Sequence, residues 1–570
     1  MAAEKPKGLG GGLSNYGDPG FAAYLRRSFA QSMGHSRELL SKPVVGITWT
    51  ASEFNNCHRG VPRLVEAAKR GVLAAGGLPL DFPLPSLGEV FLNPTSMVFR
   101  NLMAMATEEM IRAQPMDAVI LVGGCDKTLP ALAMGAISAR KPAIMLATGP
   151  MMTSRFRGER LGACTDCRRF WAKYRAGEIS AEEIGAIEQS LATTEGTCAV
   201  MGTASTMAIL CETMGLMLPG TAAIPAVHAD RLRAAEETGR EAMRLVTSGL
   251  TYDRILTQAS FDNAMKMLLA IGGSTNAVVH VAAIAGRLGL DFSLERLNRF
   301  SVSTPVLVDL KPTGQGYMED FFAAGGVGAM LHRLRDTLDL DAATVTGGPL
   351  RDFAAAADSW IDAATIRALD DPVRKNGGLI GLSGSLAPNG AVLKCAAADE
   401  RLFEKTARAV VFDGLADLSA RIDDPDLDVT EDDALVLRNA GPIAAGMPEA
   451  GYLPIPAKLA RRGIKDMLRI SDARMSGTAF GTIVLHVSPE AAAGGPLDLV
   501  RTGDRIRMSV QERRLDLLVD EAELAKRRAS RPPQTDNHER GWLGLFKRHV
   551  LQAEQGCDLD FLTAGFGRSG

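Results

Sequence analysis

The stretch Gly123-Gly124-Cys125-Asp126-Lys127-Thr128 lies at the centre of the pattern that decides the fold. An apolar run at 117–122 precedes it, and a helical stretch at 129–140 and a second apolar run at 142–147 follow it. This order predicts a βαβ unit with a parallel sheet. Ligands of such sheets bind beyond the carboxyl ends of the strands, where the loop would present a thiol, a carboxylate and an amine. Taken alone, a glycine-rich turn with an ordinary buried cysteine explains the stretch equally well. The phosphate-loop pattern G-x-x-x-x-G-K-[ST] is absent.

Two more cysteines lie in similar places. Cys57 falls between a predicted strand at 43–48 and a predicted helix at 62–75, and Cys198 lies just before a predicted helix at 202–215. The positive potential at a helix N-terminus favours a thiolate, which is the form of cysteine that binds metal. The chain thus offers three thiols in positions suited to chemistry.

The second half of the sequence has a different texture. Beyond about residue 375, short apolar runs replace the alternation of strands with helices, and this spacing is typical of a barrel or sandwich. We therefore predict an α/β fold class with a parallel-sheet domain over 1–375 and a β-barrel-like domain over 376–570. Residues 1–35 are expected to form a loose arm. The predicted short strands are 379–386, 391–394, 407–412, 434–438, 467–470 and 482–487, with a hairpin at 504–520.

Composition narrows the functional classes. The chain has 570 residues, 46% hydrophobic and 23% charged, which is ordinary for a soluble protein with large cores. A net charge of −3 gives no basic surface for nucleic acid. The most apolar stretches are interrupted by Glu212, Pro219 and Gly272-Gly273, so no membrane span or membrane partner is expected. The first residues lack the apolar core of a signal peptide, and eight scattered cysteines suggest a reducing, cytoplasmic location.

An ordered set of motifs carries a family resemblance. The set closely resembles the dihydroxyacid dehydratase/phosphogluconate dehydratase family over about residues 40 to 560. No single motif is decisive, but the order of the set is specific. The resemblance implies an α/β N-terminal domain and a β-barrel-like C-terminal domain, with the active site between them. The motifs are Asn56-Cys57, Gly124-Cys125-Asp126-Lys127, Gly196-Thr197-Cys198, Gly273-Ser274-Thr275-Asn276, Gly446-Met447-Pro448-Glu449 and Ser471-Asp472-Ala473-Arg474-Met475-Ser476-Gly477-Thr478.

The same resemblance implies two cofactors. A [2Fe-2S] cluster would be held by Cys57, Cys125 and Cys198, and three thiolates leave one iron position open for Lewis-acid chemistry. Mg²⁺ would be held by four oxygen ligands, from Glu89, Asp126, Lys127 and Glu449. Because an ammonium group cannot ligate a cation, the resemblance implies that Lys127 is carboxylated to a carbamate.

The implied reaction removes water from a 2,3-dihydroxy carboxylate. Ser476 matches the family's base for the C2 proton, and Thr478 is a candidate second hydroxyl. The product would be a 2-keto-3-deoxy acid. A serine hydroxyl is a weak base at neutral pH, so nearby cations must lower its pKa. The resemblance also suggests a homodimer or homotetramer.

One region indicates the substrate branch. Gly88-Glu89, Pro94-Thr95 and Arg100-Asn101-Leu102 resemble the sugar-acid (aldonate) dehydratases, so small-molecule aldonates such as arabinonate, xylonate or gluconate are favoured. Two departures from that branch bear on the shape of the pocket. Ala199-Val200 follows the third cysteine where Asn-Thr is common, and Ser385 replaces a usual Asn. Neither removes a proposed ligand.

Other functions stay open at this point. A branched-chain dihydroxyacid dehydratase is the nearest alternative, and a non-catalytic iron–sulfur sensor or redox protein is the alternative from another class. Cys164 and Cys167 have C-x-x-C spacing but form only one such pair and do not match the family's cluster positions. We therefore expect them to be incidental thiols. His58 is expected to be structural rather than a ligand.

Overall fold

The computed structural model describes residues 7–356, 360–531 and 539–564. Its first half is built on a four-stranded parallel sheet in the order β2-β1-β3-β4. All six residues of β3 are buried, as expected of a strand covered by helices on both faces. The predicted βαβ unit is confirmed, with helix α4 as its crossover. The strands are β1 Val44–Trp49, β2 Leu78–Pro83, β3 Ala118–Gly123 and β4 Ala143–Ala147, and a small ribbon adds β5 Ser154–Phe156 and β6 Glu159–Leu161.

Helices surround this sheet, and one of them corrects the prediction of a loose arm over 1–35, of which residues 1–6 lie outside the described residues. Asp18 accepts hydrogen bonds from the backbone N–H groups of Gly20 and Phe21, and Pro19 occupies the first turn, so a helix begins there. The helices of this half are α1 Pro19–Ser32, α2 Val61–Ala74, α3 Ser96–Ala113, α4 Thr128–Ala139, α5 Thr165–Ala176, α6 Ala181–Leu191, α7 Thr203–Thr213, α8 Ala229–Ser248, α9 Tyr252–Ile255, α10 Gln258–Ala270, α11 Asn276–Gly286, α12 Leu294–Ser301, α13 Met318–Ala323, α14 Gly326–Arg333 and α15 Leu350–Ala356.

The second half contains an eight-stranded mixed sheet in the order β14-β13-β9-β10-β11-β12-β8-β7. Its two edges nearly meet. Ser383, just after β7, accepts from the Leu515 N–H at 3.1 Å and donates its own N–H to the Arg513 carbonyl at 3.0 Å. The predicted α/β class with a barrel-like second sheet is confirmed. The strands are β7 Ile380–Leu382, β8 Gly390–Leu393, β9 Glu404–Asp413, β10 Ala434–Arg438, β11 Arg469–Ser471, β12 Ile483–Ser488, β13 Arg505–Ser509 and β14 Arg514–Leu517.

The end of the chain returns to the first half. Buried Arg100 on α3 donates to the carbonyls of Gly556 and Cys557, each at 2.8 Å, and Trp542 donates to the Val98 carbonyl at 3.0 Å. These contacts fix the barrel-like sheet against the helices of the parallel sheet. None of the helices in the described ranges has the length and apolarity that crossing a bilayer requires. The remaining helices are α16 Gly414–Arg421, α17 Pro442–Ala445, α18 Ala457–Ala460, α19 Glu521–Ala529 and α20 Gly541–His549.

Candidate active site

Two of the predicted cluster cysteines lie at one edge of the parallel sheet. Cys57 lies beyond the end of β1 and Cys125 directly follows β3, and these two strands are paired neighbours. The loop after β3 approaches the next strand so closely that a Cβ at Gly124 would overlap the Thr148 hydroxyl. Only glycine fits there. The strand order therefore brings together two thiols that are far apart in sequence.

His58 braces the two cysteine loops. Its Nε2 accepts from the backbone N–H groups of Gly124 and Cys125, each at 3.0 Å, and its Nδ1–H donates to the Thr50 carbonyl at 2.9 Å. Burial lowers the pKa of His58 to about 4, so the ring is neutral and keeps this pattern of donor and acceptor. The expectation of a structural histidine is confirmed.

Cys198 brings a second thiol pair to this edge. Its Sγ lies 3.4 Å from the Sγ of Cys164, and Cys167 is a further neighbour. Hydrogen bonds from Cys167 and Cys198 hold the pKa of Cys164 well below its usual range, while Cys164 and burial raise the pKa of Cys198. The charge of Cys57 also raises the pKa of Cys198, so the two pairs share one electrostatic site. Sequence analysis did not count Cys164 among the cluster ligands, whereas the structure places it beside one of them, Cys198.

Three of the predicted oxygen ligands converge beside the thiols. One oxygen from each of Glu89, Asp126 and Glu449 lies within 4.8 Å of the others. Lys127 is fully buried and donates to Glu89 Oε2 at 2.9 Å and to Asp126 Oδ2 at 3.0 Å. Two of these residues follow strand β3, while Glu449 comes from the barrel-like half. The site is thus assembled from both halves of the chain.

Arg474 ties the two halves together. This buried guanidinium donates to Glu89 Oε1 at 2.7 Å and to Glu449 Oε1 at 2.6 Å, and it also reaches Thr95 Oγ1 at 3.1 Å. A further bond to the Met447 carbonyl at 2.9 Å fixes its orientation. Sequence analysis quoted Arg474 within a motif but assigned it no role. The missed signal was an arginine two residues before the proposed base.

The charges are unevenly shared between the two glutamates. Burial would raise the pKa of Glu89, but Arg474, Lys127 and the Ser96 hydroxyl hold it well below its usual range. Burial and the nearby charge of Glu89 instead raise the pKa of Glu449 to about 7. A bound cation favours the ionised form of a carboxylate. It would therefore change the protonation of Glu449, whose pKa is raised, more than that of Glu89.

The proposed base lies in the loop after β11. Ser476 Oγ is 2.8 Å from Thr478 Oγ1. Between them, a Cβ at Gly477 would lie 2.6 Å from Ser274 Oγ, so a side chain there would collide with the Gly273–Asn276 loop. Ser274 is held in turn by Thr203, whose hydroxyl lies at 2.8 Å. The glycine-rich motif at 272–276 therefore supports the Ser476 loop from beneath.

The residues present fit both implied cofactors. Mg²⁺ prefers oxygen ligands at about 2.0–2.1 Å, so two ligands of one ion lie at most roughly 4.2 Å apart. The three carboxylate oxygens, all within 4.8 Å of one another, can approach this spacing. Clustered thiolates suit an iron–sulfur centre. Lys127 points into the carboxylate group, where a carbamate oxygen would join the same set.

Comparisons with known proteins show which family the chain is similar to. Residues 42–353 match the family model described as dihydroxy-acid/6-phosphogluconate dehydratase N-terminal, and residues 364–557 match the C-terminal model of the same family. The 6-deoxy-6-sulfo-D-gluconate dehydratase of Pseudomonas putida is 44% identical, with 95% of this chain and 94% of the relative covered. The L-arabinonate dehydratase of Rhizobium leguminosarum is also 44% identical (97% and 96% covered), and the L-arabonate dehydratase of Azospirillum brasilense is 45% identical (95% of each chain).

Identity at this level over nearly the whole chain, together with both family models, settles the relationship. The chain belongs to the dihydroxy-acid/6-phosphogluconate dehydratase family, and it is a hydro-lyase.

Proposed function

We propose that this enzyme removes water from a 2,3-dihydroxy sugar acid, an aldonate, to give a 2-keto-3-deoxy acid. One observation carries the proposal: the loop of Ser476 and Thr478 contacts both the oxygen donors and the thiol segment. Arg474, two residues before Ser476, pairs with Glu89 and Glu449. Thr165, next to Cys164, donates to the Thr478 carbonyl. The names of the relatives support the substrate class, since those described above are dehydratases of sugar acids.

A [2Fe-2S] cluster on Cys57, Cys125 and Cys198, with Mg²⁺ on Glu89, Asp126, Glu449 and carboxylated Lys127, would supply Lewis acidity to the leaving hydroxyl and to the substrate's carboxylate. The chain itself supplies the base. Ser476 Oγ, as alkoxide, takes the C2 proton, and the C3–O bond breaks with its electron pair leaving on oxygen. The proton taken by Ser476 passes to the departing hydroxide, so water and an enol result and the alkoxide is restored. The enol then tautomerises to the keto acid. Thr478, at 2.8 Å, is placed to donate a hydrogen bond that stabilises the alkoxide.

The structure also supports a division of labour along the chain. We propose that residues 1–375 carry the cluster and most Mg²⁺ ligands, while residues 376–570 carry the base and Glu449. Arg474 is then the residue of the second unit that forms an ion pair with Glu89, a carboxylate of the first. A redox protein or sensor would have no use for a hydroxyl pair in a loop whose arginine binds two carboxylates.

The first test is a substrate panel. Anaerobically purified enzyme would be incubated with arabinonate, xylonate, gluconate and a branched-chain 2,3-dihydroxy acid, and keto-acid formation measured. We expect turnover of at least one aldonate that exceeds turnover of the branched-chain acid. Preference for the branched-chain acid would contradict the proposed substrate class, and no turnover of any compound by iron-loaded enzyme would contradict the proposal itself.

The second test isolates the base. Ser476→Ala leaves every proposed ligand in place, so iron, Mg²⁺ and substrate binding should survive while turnover falls by about 10²–10⁴-fold. In deuterated water the variant should not exchange the substrate's C2 hydrogen. Ser509→Ala is the matched control, because this buried serine lies in β13 and hydrogen bonds within its own hairpin. Wild-type exchange in Ser476→Ala would assign the base to another group.

A further inference from the structure

Cys164 is one of the thiols to which the family resemblance assigns no role, and it is the one that lies beside Cys198. Its Sγ lies 3.4 Å from Cys198 Sγ. Two thiolates on one tetrahedral metal, with metal–sulfur bonds of about 2.3 Å, lie roughly 3.8 Å apart. The Cys164–Cys198 distance is therefore close to that of two ligands sharing one iron. Cys57 and Cys125 form the other neighbouring pair.

The segment that carries Cys164 is firmly held. Asp166, two residues on, is fully buried and accepts from the Gly162 N–H at 2.9 Å, from Lys311 at 3.0 Å and from the Tyr317 hydroxyl at 2.9 Å. Cys164 precedes α5, a twelve-residue helix whose first-turn N–H groups favour a thiolate. These contacts hold the Cys164 thiol beside Cys198, so their proximity does not depend on a free loop.

The residue after Cys164 contacts the loop of the proposed base. The next residue, Thr165, donates to the Thr478 carbonyl at 3.0 Å, in the loop of the proposed base. Ala199 and Val200, directly after Cys198, form the apolar wall against Cys164 and Cys167. Cys164 thus lies beside a proposed cluster cysteine, and its neighbour Thr165 contacts the loop of the proposed base.

We propose that Cys164 is a fourth, exchangeable thiolate ligand that closes the open iron position while no substrate is bound. The thiolate donates a lone pair to iron and takes it back on leaving, so no electron is transferred and no carbon bond changes. The inference rests on the proposed function, since it assumes a cluster on Cys57, Cys125 and Cys198. It assigns Cys164 the task of protecting the cluster between turnovers.

The test compares full-length wild type with Cys164→Ala and Cys164→Ser, and uses Cys167→Ser as the matched control from the same motif. Iron and sulfide content, resonance Raman bands of the iron–thiolate bonds, and the EPR spectrum of the reduced cluster would be recorded without substrate and with a turned-over aldonate. Without substrate, we expect both Cys164 variants to differ from wild type and Cys167→Ser to match it. Adding aldonate should shift the wild-type spectrum towards that of the aldonate-bound variants.

Added imidazole supplies an independent probe. It should change the spectrum of Cys164→Ala, whose iron position is open, more than that of substrate-free wild type. Folded Cys164 variants that fail to hold iron would also support a ligand role. Spectra identical to wild type in both Cys164 variants, with the same response to imidazole, would overturn the inference. A wild-type protein without iron after anaerobic reconstitution would instead overturn the proposed function.

Discussion

The edge of the parallel sheet and the edge of the barrel-like sheet supply the same site in different ways. At the parallel sheet, Cys125, Asp126 and Lys127 directly follow a buried strand, and backbone hydrogen bonds to His58 hold their loop. At the barrel-like sheet, backbone hydrogen bonds join the loop of Glu449 to that of Arg474, and the Arg474 guanidinium pairs with Glu449 and, across the interface, with Glu89. The first edge is set by strand order and backbone contacts, and the second depends on charge matching across the interface. Substitutions should therefore act on cofactor loading at the first edge and on the free energy of unfolding at the second.

The largest effect is expected at the parallel sheet. Cys57→Ser, Cys125→Ser and Cys198→Ser should each lose iron and reduce turnover by at least about 10²-fold, because a Lewis acid contributes several kcal/mol to the barrier and a hydroxyl is a poor ligand for iron. Iron analysis and the keto-acid assay measure this. Cys395→Ser, a buried thiol of the barrel core, is the control and should keep its iron. Full iron content in the Cys198 variant would remove that residue from the ligand set.

Arg474 tests the second edge. Arg474→Met leaves Glu89 and Glu449 without their shared cation, and breaking such a buried pair costs about 3–5 kcal/mol of unfolding free energy. Denaturant unfolding of the metal-free protein should show this loss, and Mg²⁺ should restore part of it by neutralising the same carboxylates. Arg421→Met, at a more exposed i,i+4 pair with Asp417 on α16, should cost no more than about 1 kcal/mol. Wild-type stability in Arg474→Met would mean that charge matching does not hold this edge.

Lys127 sharpens the comparison, because its role depends on a modification. As an ammonium it neutralises Glu89 and Asp126, and as a carbamate it would become a ligand. We expect Mg²⁺ affinity and turnover of the wild type to fall when carbon dioxide and bicarbonate are removed. Lys127→Arg keeps the positive charge but forms no carbamate, so it should stay folded, lose turnover and show no response to bicarbonate. Normal activity in Lys127→Arg would exclude the carbamate.

Local features of the sequence were sufficient for much of the fold. The strand predicted at 434–438 has the bounds of β10, and the predicted hairpin at 504–520 contains β13 and β14. Helix α1 was missed because the glycine- and serine-rich start outweighed the Asp18-Pro19 capping signal.

The candidate site was harder to predict, since it depends on contacts between distant residues. Glu89 and Arg474 are 385 positions apart, and Cys164 and Cys198 are 34 apart. Motif resemblance supplied the proposed ligands, but sequence spacing gave no sign of the arginine bridge. The C-x-x-C spacing of Cys164 and Cys167 was visible, but it did not show that Cys164 lies beside Cys198. Both depend on tertiary packing, which local patterns do not encode.

A second buried lysine gives the smallest expected effect. Lys394, just after β8, is 1% exposed, and its Nζ has no hydrogen-bond partner among the described residues. Burial lowers its pKa from 10.5 to about 7, whereas the carboxylates beside Lys127 raise that residue's pKa. The folded pKa of Lys394 is thus below the unfolded one, so its destabilisation is complete below pH 7 and fades as pH rises towards 10.5.

Lys394→Met should be more stable than wild type by about 1–3 kcal/mol at pH 6, less than the full pKa shift implies because buried lysines relax and admit water. The unfolding free energies of wild type and Lys394→Met would be measured from pH 6 to 10, and their difference should shrink as the pH rises. This difference reports Lys394 alone, because all other titrating groups are common to both proteins. A difference that stays constant with pH would show that Lys394 has an ordinary pKa and a partner in solution. Such a result would mean that Lys394 in the barrel-like half is held as a paired buried charge, as Lys127 is beside the parallel sheet.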